Sequence, residues 1–457
     1  MLFSSMIDRF VEASPFCVMA RGLMERALSP AGLDAVFEKS AEQQYTKALL
    51  FSTTVDLMST VVCRIRPSVH AAYQAKKADV GVSVRALYDK LASVELKTSA
   101  AVVEHTAERL EPIIRQMGGT SPPLLEGYKA KILDGNHLAH SERRMGILRD
   151  VAAGPLPGQT LVVYEPETDL VTGVIGCEDG HTQERKLLDQ IWPLVHKRDL
   201  WIADRNFCTT KFLSGVAARC GFFAVRQHAS TLRWEREGRR RKVGKTDSGV
   251  LYERRLWLLD EDGKEFSVRQ ITLELTTPTR DGETVIRVLS NLPSKIPAAK
   301  IAALYRERWK IEHLFQKMTQ LLRCEIDTLA YPKAAVFGFC VALAASNVLA
   351  ATKAALRATH KDASLDDDLS DFMVAEELSG TYRGMMIALP GEEWTKLAAL
   401  SDSEFIEWLL AIAKGVRLDR YQKSKRGPKK PRTRRTRFKK AKHVATSRLI
   451  DAAKKKK

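Results

Sequence analysis

The chain has no Cys-x-x-Cys pair. Its seven cysteines, Cys17, Cys63, Cys177, Cys208, Cys220, Cys324 and Cys340, are scattered and odd in number. That argues against a zinc site or a disulfide framework and for a reducing, cytoplasmic setting. No uninterrupted apolar run reaches the ~18 residues a membrane-spanning helix needs. The most apolar stretch, Ala334 to Ala351, is rich in alanine and broken by Ser346 and Asn347, which suits a buried helix, and no membrane partner is expected. The N-terminus, MLFSSMIDRFVEASPF, carries acids and lacks a basic segment before an apolar run, so no secretory signal is expected. No internal repeat is present.

What is there is a chain of 457 residues, 45% hydrophobic, enough for a large core and for two to four domains. The net charge of +18 is uneven. Residues 423–457 hold 17 Lys or Arg against one acid, Asp451, giving +16, so the first 422 residues carry only +2. The tail, with KSKRGPKKPRTRRTRFKKAK and a terminal run of four lysines, has almost nothing apolar to bury and is expected to be disordered when free. Its arginines suit bidentate contact with phosphate, and nucleic acid is the favoured partner. A solubilising tail or a patch for a ribosome or membrane surface stays open.

Residues 1 to about 125 read as helical. Ser29-Pro30 is a helix start. Gly81 and Ser83 separate a short segment from a helix with Val84, Leu87, Tyr88 and Leu91 on one face. That is the pattern of a helix-turn-helix, although any helical hairpin turning on a glycine would share it. Gly118 to Pro123 is a boundary. Beyond it come a short strand ending at Asp134-Gly135, a hairpin over 160–175, a helix over 181–197, a strand ending at Asp204, a helix over 209–219 and a strand over 221–226. This order predicts an α/β domain with a mixed sheet. Residues 227–294 read as antiparallel strands, with the basic run GRRRK in a loop. One long helix is expected over 298–322, with further helices beyond.

The chemistry gathers around Tyr305-Arg306-Glu307-Arg308-Trp309-Lys310-Ile311-Glu312. At ~100° per residue, Tyr305, Arg308 and Glu312 share one helix face. A carboxylate can bind metal there, a guanidinium can hold a phosphate and a phenol can donate to another phosphate oxygen. Asp134 and Asp204 stand at two strand ends, where a sheet presents ligands. Three such carboxylates could hold two Mg²⁺ or Mn²⁺ ions ~4 Å apart for phosphodiester chemistry. Arg205 and Lys310 border the acids and are candidate DNA contacts. Trp309 suits the core or a base stack equally. Glu178, Asp179, His181 and Glu184 form a polar cluster best explained as solvated caps. His137 and His140 follow Asp134, but no cysteine or third ligand points to zinc.

The segments ILDGNH, LWIADRNF, LSNLP and YRERWKIEHLF resemble the signature blocks of DDE transposases of the insertion-sequence-4 type. The resemblance covers roughly 129–322, and its most specific block is the helix, whose family signature is Y-x2-R-x3-E-x6-K. It implies a ribonuclease-H-like mixed-sheet core with a β-rich insertion, flanked by helical N- and C-terminal regions. The expected division is 1–123, a helical domain binding DNA ends; 124–226, the first part of the core; 227–295, the insertion; 296–355, the last core helices; 356–422, a helical C-terminal region; and 423–457, the basic tail. By resemblance Asp134, Asp204 and Glu312 would be the catalytic metal ligands, and Tyr305 and Arg308 would contact the transposon-end backbone. The implied activity is cleavage at transposon ends and strand transfer into target DNA. A homodimer would form on the DNA, and the protein would be cytoplasmic and nucleoid-associated. The signature's lysine, seven residues after Glu312, is Thr319 here. A domesticated or inactive relative, acting as a nuclease or a DNA-binding protein, is the alternative.

Overall fold

The structure is a computed structural model that describes residues 5–44, 48–139, 141–150, 154–228, 232–279, 282–361, 365–424 and 427. Met1–Tyr421 forms one compact unit, and Gln422–Lys457 is assigned to a second. Most of the basic tail, and His140, lie outside the described residues.

Helices come first: α1 (Ser5–Ala13), α2 (Pro15–Ala27), α3 (Pro30–Ser40), α4 (Phe51–Val62), α5 (Val69–Ala75), α6 (Lys77–Val80), α7 (Val84–Ser93) and α8 (Leu96–Gln116). Their ends follow local chemistry. The Ser29 hydroxyl accepts from the Gly32 amide (3.3 Å), with Pro30 opening α3. Gly81, at φ 68°, ends α6 in the left-handed region, and Ser83 accepts from the Ala86 amide (3.2 Å) to start α7. The expected turn is therefore present, but the helix before it is only four residues long. Leu87 and Leu91 are buried, while Tyr88 is exposed.

The sheet is built from β1 (Lys129–His137), β2 (Gln159–Glu165), β3 (Leu170–Cys177), β4 (Asp199–Ala203), β5 (Phe222–Arg226), β6 (Arg236–Glu237), β7 (Arg241–Thr246), β8 (Gly249–Leu259), β9 (Glu265–Leu275) and β10 (Val285–Ser290), with α9 (Thr210–Ala218) between β4 and β5. The strand order is β3-β2-β1-β4-β5-β10-β9-β8-β6, with β7 also on β8. β1, β2 and β3 are antiparallel neighbours, while β4 and β5 run parallel to β1. This 3-2-1-4-5 core is the ribonuclease-H-like arrangement. The β-rich insertion continues the same sheet, because β10 pairs antiparallel with β5.

Alternation along the strands supplies two cores. Ile132, Ile202 and Ala224 join one core with Ile301, Leu304, Ile311 and Leu314, while Leu133, Trp201, Phe223 and Val225 join another with α9 and the segment Glu184–Leu194. That segment, expected as an α-helix, is a 3-10 helix with Leu187, Leu188 and Ile191 buried. The run GRRRK, expected in a loop, leads into β7, an exposed strand on β8. Lys and Arg on an outlying strand deter further pairing.

The chain then enters α10 (Ala298–Arg306), α11 (Trp309–Leu321), α12 (Pro332–His360), α13 (Leu365–Asp368), α14 (Asp371–Ala388), α15 (Gly391–Ala399) and α16 (Asp402–Lys414). By length and composition alone α12 could cross a membrane, contrary to the sequence expectation, but 89% of its most apolar window is buried by the fold. It runs through the centre, against α8, α4, α2, α16 and β3.

Candidate active site

Asp134 lies one residue beyond Leu133, whose parallel partner on β4 is Ala203. Asp204 directly follows Ala203, so the two acids occupy matched positions where the parallel ladder stops. β1 does not end at Gly135 as expected. It continues to His137 on its other edge, paired with β2, so only its β4-facing edge ends at the acid. Asp204 caps the 3-10 turn Arg205–Phe207, accepting from the Asn206 amide (2.6 Å).

The helix expected over 298–322 is broken at the motif. α10 stops at Arg306 and α11 begins at Trp309. Backbone bonds there run from each amide to the carbonyl three residues back, from Glu307 to Leu304, Arg308 to Tyr305, Lys310 to Glu307 and Ile311 to Arg308. Glu307 and Arg308 keep right-handed helical angles. The chain is tightened rather than redirected, and Tyr305, Arg308 and Glu312 still face the acids.

Arg308 joins the set. Its Nη1 lies 3.3 Å from Asp134 Oδ2 and its Nη2 2.6 Å from Glu312 Oε1, with the side chain only 11% exposed. Its Nε is buried without a hydrogen-bond partner. The Tyr305 phenol lies within electrostatic reach of Arg308 and Arg226. Burial pushes the Tyr305 phenol up, against the pull of those two cations.

The Asp134 carboxyl is raised to about 7. Burial is the main cause; Arg308 pulls the other way, and Asp204 and Glu184 add smaller upward pushes. Glu184 was not expected here. Its carboxylate sits over Gly135, where any Cβ would collide with it, and hydrogen-bonds Asn206 Nδ2 (3.4 Å). Burial raises its carboxyl too, with Asp204 contributing. The neighbouring Asp179 does what the sequence suggested: it caps, accepting from the His181 amide (2.9 Å) and the Thr182 hydroxyl (3.1 Å). Only the spacing of Glu184 from Gly135, across 49 residues of chain, hid its place, and the glycine after Asp134 was the available signal.

The remaining candidates divide. Arg205 is exposed beside Asp204 and faces Glu283 (3.6 Å). Lys310 pairs with Glu307 (3.3 Å). Trp309 is 55% exposed, outside the core. His137 Nδ1 lies 3.0 Å from the Gly180 carbonyl. Thr319 donates its hydroxyl to the Phe315 carbonyl (2.9 Å), and the Arg64 guanidinium donates to the carbonyls of Thr319 (3.3 Å) and Leu322 (3.2 Å). A cation from the N-terminal helices thus stands at the end of α11, while Lys317 turns to Asp371 (3.3 Å).

The comparisons with known proteins bear on this constellation. Residues 159–348 match the transposase DDE domain family. The match spans less than half of the chain and includes Asp204 and Glu312 but not Asp134. A Sinorhizobium fredii (strain NBRC 101917 / NGR234) protein, y4zB, which carries a transposase name, is 30% identical over 164 residues, 35% of this chain and 44% of that protein. The aligned part is therefore less than half of that relative's length. A cryo-EM structure of piggyBac transposase in a synaptic complex with hairpin DNA aligns over 90% of this chain and 87% of its own, at 10% identity and a TM-score of 0.41.

DDE domains generally use divalent metal ions. The donors here are carboxylate oxygens, the chemistry that Mg²⁺ and Mn²⁺ prefer, and Asp204 and Glu184 both place negative charge near Asp134. Among the described residues, no three His, Cys, Asp or Glu side chains are gathered closely enough to hold one ion. Arg308 takes the place between Asp134 and Glu312 instead. The donor set fits a hard divalent cation in kind, with the guanidinium as the group that must yield.

Proposed function

We propose that this chain is a DDE transposase of the insertion-sequence-4 type, which cuts DNA at transposon ends and joins the freed ends to target DNA. The observation that carries the reading is the placement of Asp134 and Asp204 at matched positions of adjacent parallel strands, with Glu312, from the helix that follows the β-rich insertion, joined to Asp134 through Arg308. Two divalent cations held by Asp134, Asp204 and Glu312 would supply activation of the attacking oxygen and charge relief for the leaving one.

The chain's own groups do the rest. Arg308, poised between two acids, can transfer its donors to a phosphate when one arrives, with the Tyr305 phenol close by. Trp309, exposed at the head of α11, can lie against a sugar or base. Arg205 reaches outward from the residue after Asp204 toward the same strand. The N-terminal helices 1–123 are the proposed end-binding domain, and synapsis of two ends makes a homodimer on DNA the working assembly. The test is Asp204→Asn in Mg²⁺ with end-bearing DNA. Cleavage and strand transfer should fall by at least a hundredfold while DNA affinity is retained. Undiminished cleavage by Asp204→Asn would overturn the reading.

The second reading, a DNA-binding relative without catalysis, is favoured by Thr319 and by the position of Arg308. It requires that neither wild type nor Asp204→Asn cleaves, with equal DNA affinity.

A further inference from the structure

Next to the carboxylates, on the side of the insertion, lies a cleft of about 440 Å³. Four arginines line it, Arg205, Arg226, Arg254 and Arg287, against one acid, Glu283, so its lining carries 4 − 1 = +3. The strand register places two of them. Arg254 on β8 lies opposite Gln270 on β9, and Gln270 lies opposite Leu289 on β10, two residues from Arg287. Residues two apart share a face, so Arg254 and Arg287 point to the same side of the sheet.

The guanidiniums are oriented but not neutralised. Arg254 Nε donates to Gln270 (2.6 Å), and its Nη1 pairs with Glu237. Glu283 serves two cations at once, Arg226 and, at 3.6 Å, Arg205. Arg287 is exposed at the rim. Each guanidinium has five N–H donors, so the four hold more donors than Glu237, Glu283 and Gln270 can accept. Held forks with unmet donors in a concave, positively charged site suit a phosphate.

The cleft is also continuous with the carboxylates by two routes. Arg205 directly follows Asp204. Arg226 lies within electrostatic reach of the Tyr305 phenol, which also neighbours Arg308, and Arg308 pairs with Asp134 and Glu312. We propose that this cleft is a second phosphate-binding site, which grips the backbone of the DNA strand running on from the bond at the carboxylates. The proposal rests on the transposase reading for its substrate. It assigns Arg226, Arg254 and Arg287, none of which stood out in the sequence, to DNA positioning.

The test uses the full chain without divalent ion, and a labelled duplex followed by fluorescence anisotropy across a salt series. Arg254→Gln/Arg287→Gln should weaken binding several-fold and flatten the slope of log affinity on log salt by about 1 to 2, the loss of one or two phosphate contacts. Arg287→Gln alone, at an exposed position, should give about half of that with an unchanged melting temperature, which separates lost contact from lost fold. An unchanged slope in both variants overturns the proposal. Inorganic phosphate is the second probe. If it protects the cleft in wild type but not in Arg287→Gln, while the duplex slope does not move, the site takes a free phosphate and the proposal also fails. Asp204→Asn keeps the two readings apart. Its failure to abolish cleavage would sink the transposase reading and leave the slope result standing, whereas a flat slope response beside a dead Asp204→Asn would sink only the cleft.

Discussion

Asp134 is the residue at which the site's electrostatics can be read directly. Its side chain is 17% exposed, and its carboxyl is raised from 3.8 to about 7 by burial first and then by Asp204 and Glu184. Below pH ~4 both the folded and the unfolded chain hold this proton, so it has no effect on stability. Between ~4 and ~7 only the folded state holds it, and stability falls as pH rises. Above 7 the penalty is complete, at most about 4 kcal/mol for a shift of roughly 3 units. Asp134→Asn removes the ionisation. In chelator the variant should match wild type in melting temperature near pH 4 and exceed it at pH 8. A variant less stable than wild type at pH 8 would mean that the pair with Arg308 outweighs the burial. At this scale the sequence was partly legible. The three acids stood out because a strand end and a helix face can be read from spacing. Glu184 did not, because its place depends on the missing side chain of Gly135 rather than on any pattern near Glu184 itself.

Among the elements, the boundary between helix α12 and strand β3 shows what a composition can hide. Asn347 interrupts the most apolar run of the sequence and is fully buried. Its Oδ1 accepts from the Val171 amide (2.7 Å) and its Nδ2 donates to the Val171 carbonyl (2.9 Å). β3 is the outer strand of the core sheet, and Val171 has a strand neighbour on one side only, at Tyr164. The amide side chain therefore serves as the missing strand. Asn347→Leu would keep the volume and leave two backbone groups buried and unpaired, at about 1–3 kcal/mol each. We expect a loss of roughly 2–5 kcal/mol in denaturant unfolding, with little change in the isosteric Asn347→Asp at low pH, where the acid can still donate and accept. The hydrophobic periodicity of 334–351 revealed a buried helix but not this clamp, since polar satisfaction depends on a partner 176 residues away. The break between α10 and α11 was equally illegible. No Gly or Pro marks it, the backbone stays in the helical region, and the bonds shorten where Arg308 reaches across to Asp134. The strand β7 was missed for the opposite reason. Its charge mimics a loop, yet an outlying strand tolerates charge.

For the molecule as a whole, the charge is divided in the same way as the fold. Met1–Tyr421 carries its own cores and is one compact unit, while residues 423–457 hold +16 of the net +18. The cleft beside the carboxylates adds only +3, held at fixed positions. The two therefore differ in kind. A stretch of dense positive charge can release counter-ions from any duplex, whereas a few oriented guanidiniums fix the register of one strand. Deleting 423–457 should lower non-specific duplex affinity by tenfold or more near 0.1 M salt and remove most of the salt slope, at ~0.9 per phosphate neutralised. It should leave the melting temperature of the body within about 1 °C, since the cores among the described residues lie within Met1–Tyr421. If Asp134, Asp204 and Glu312 form the reactive centre, cleavage by the shortened chain should recover when DNA is raised to saturation. Cleavage that stays absent at saturating DNA would instead give the tail a part in assembling the reactive complex, beyond holding DNA near it.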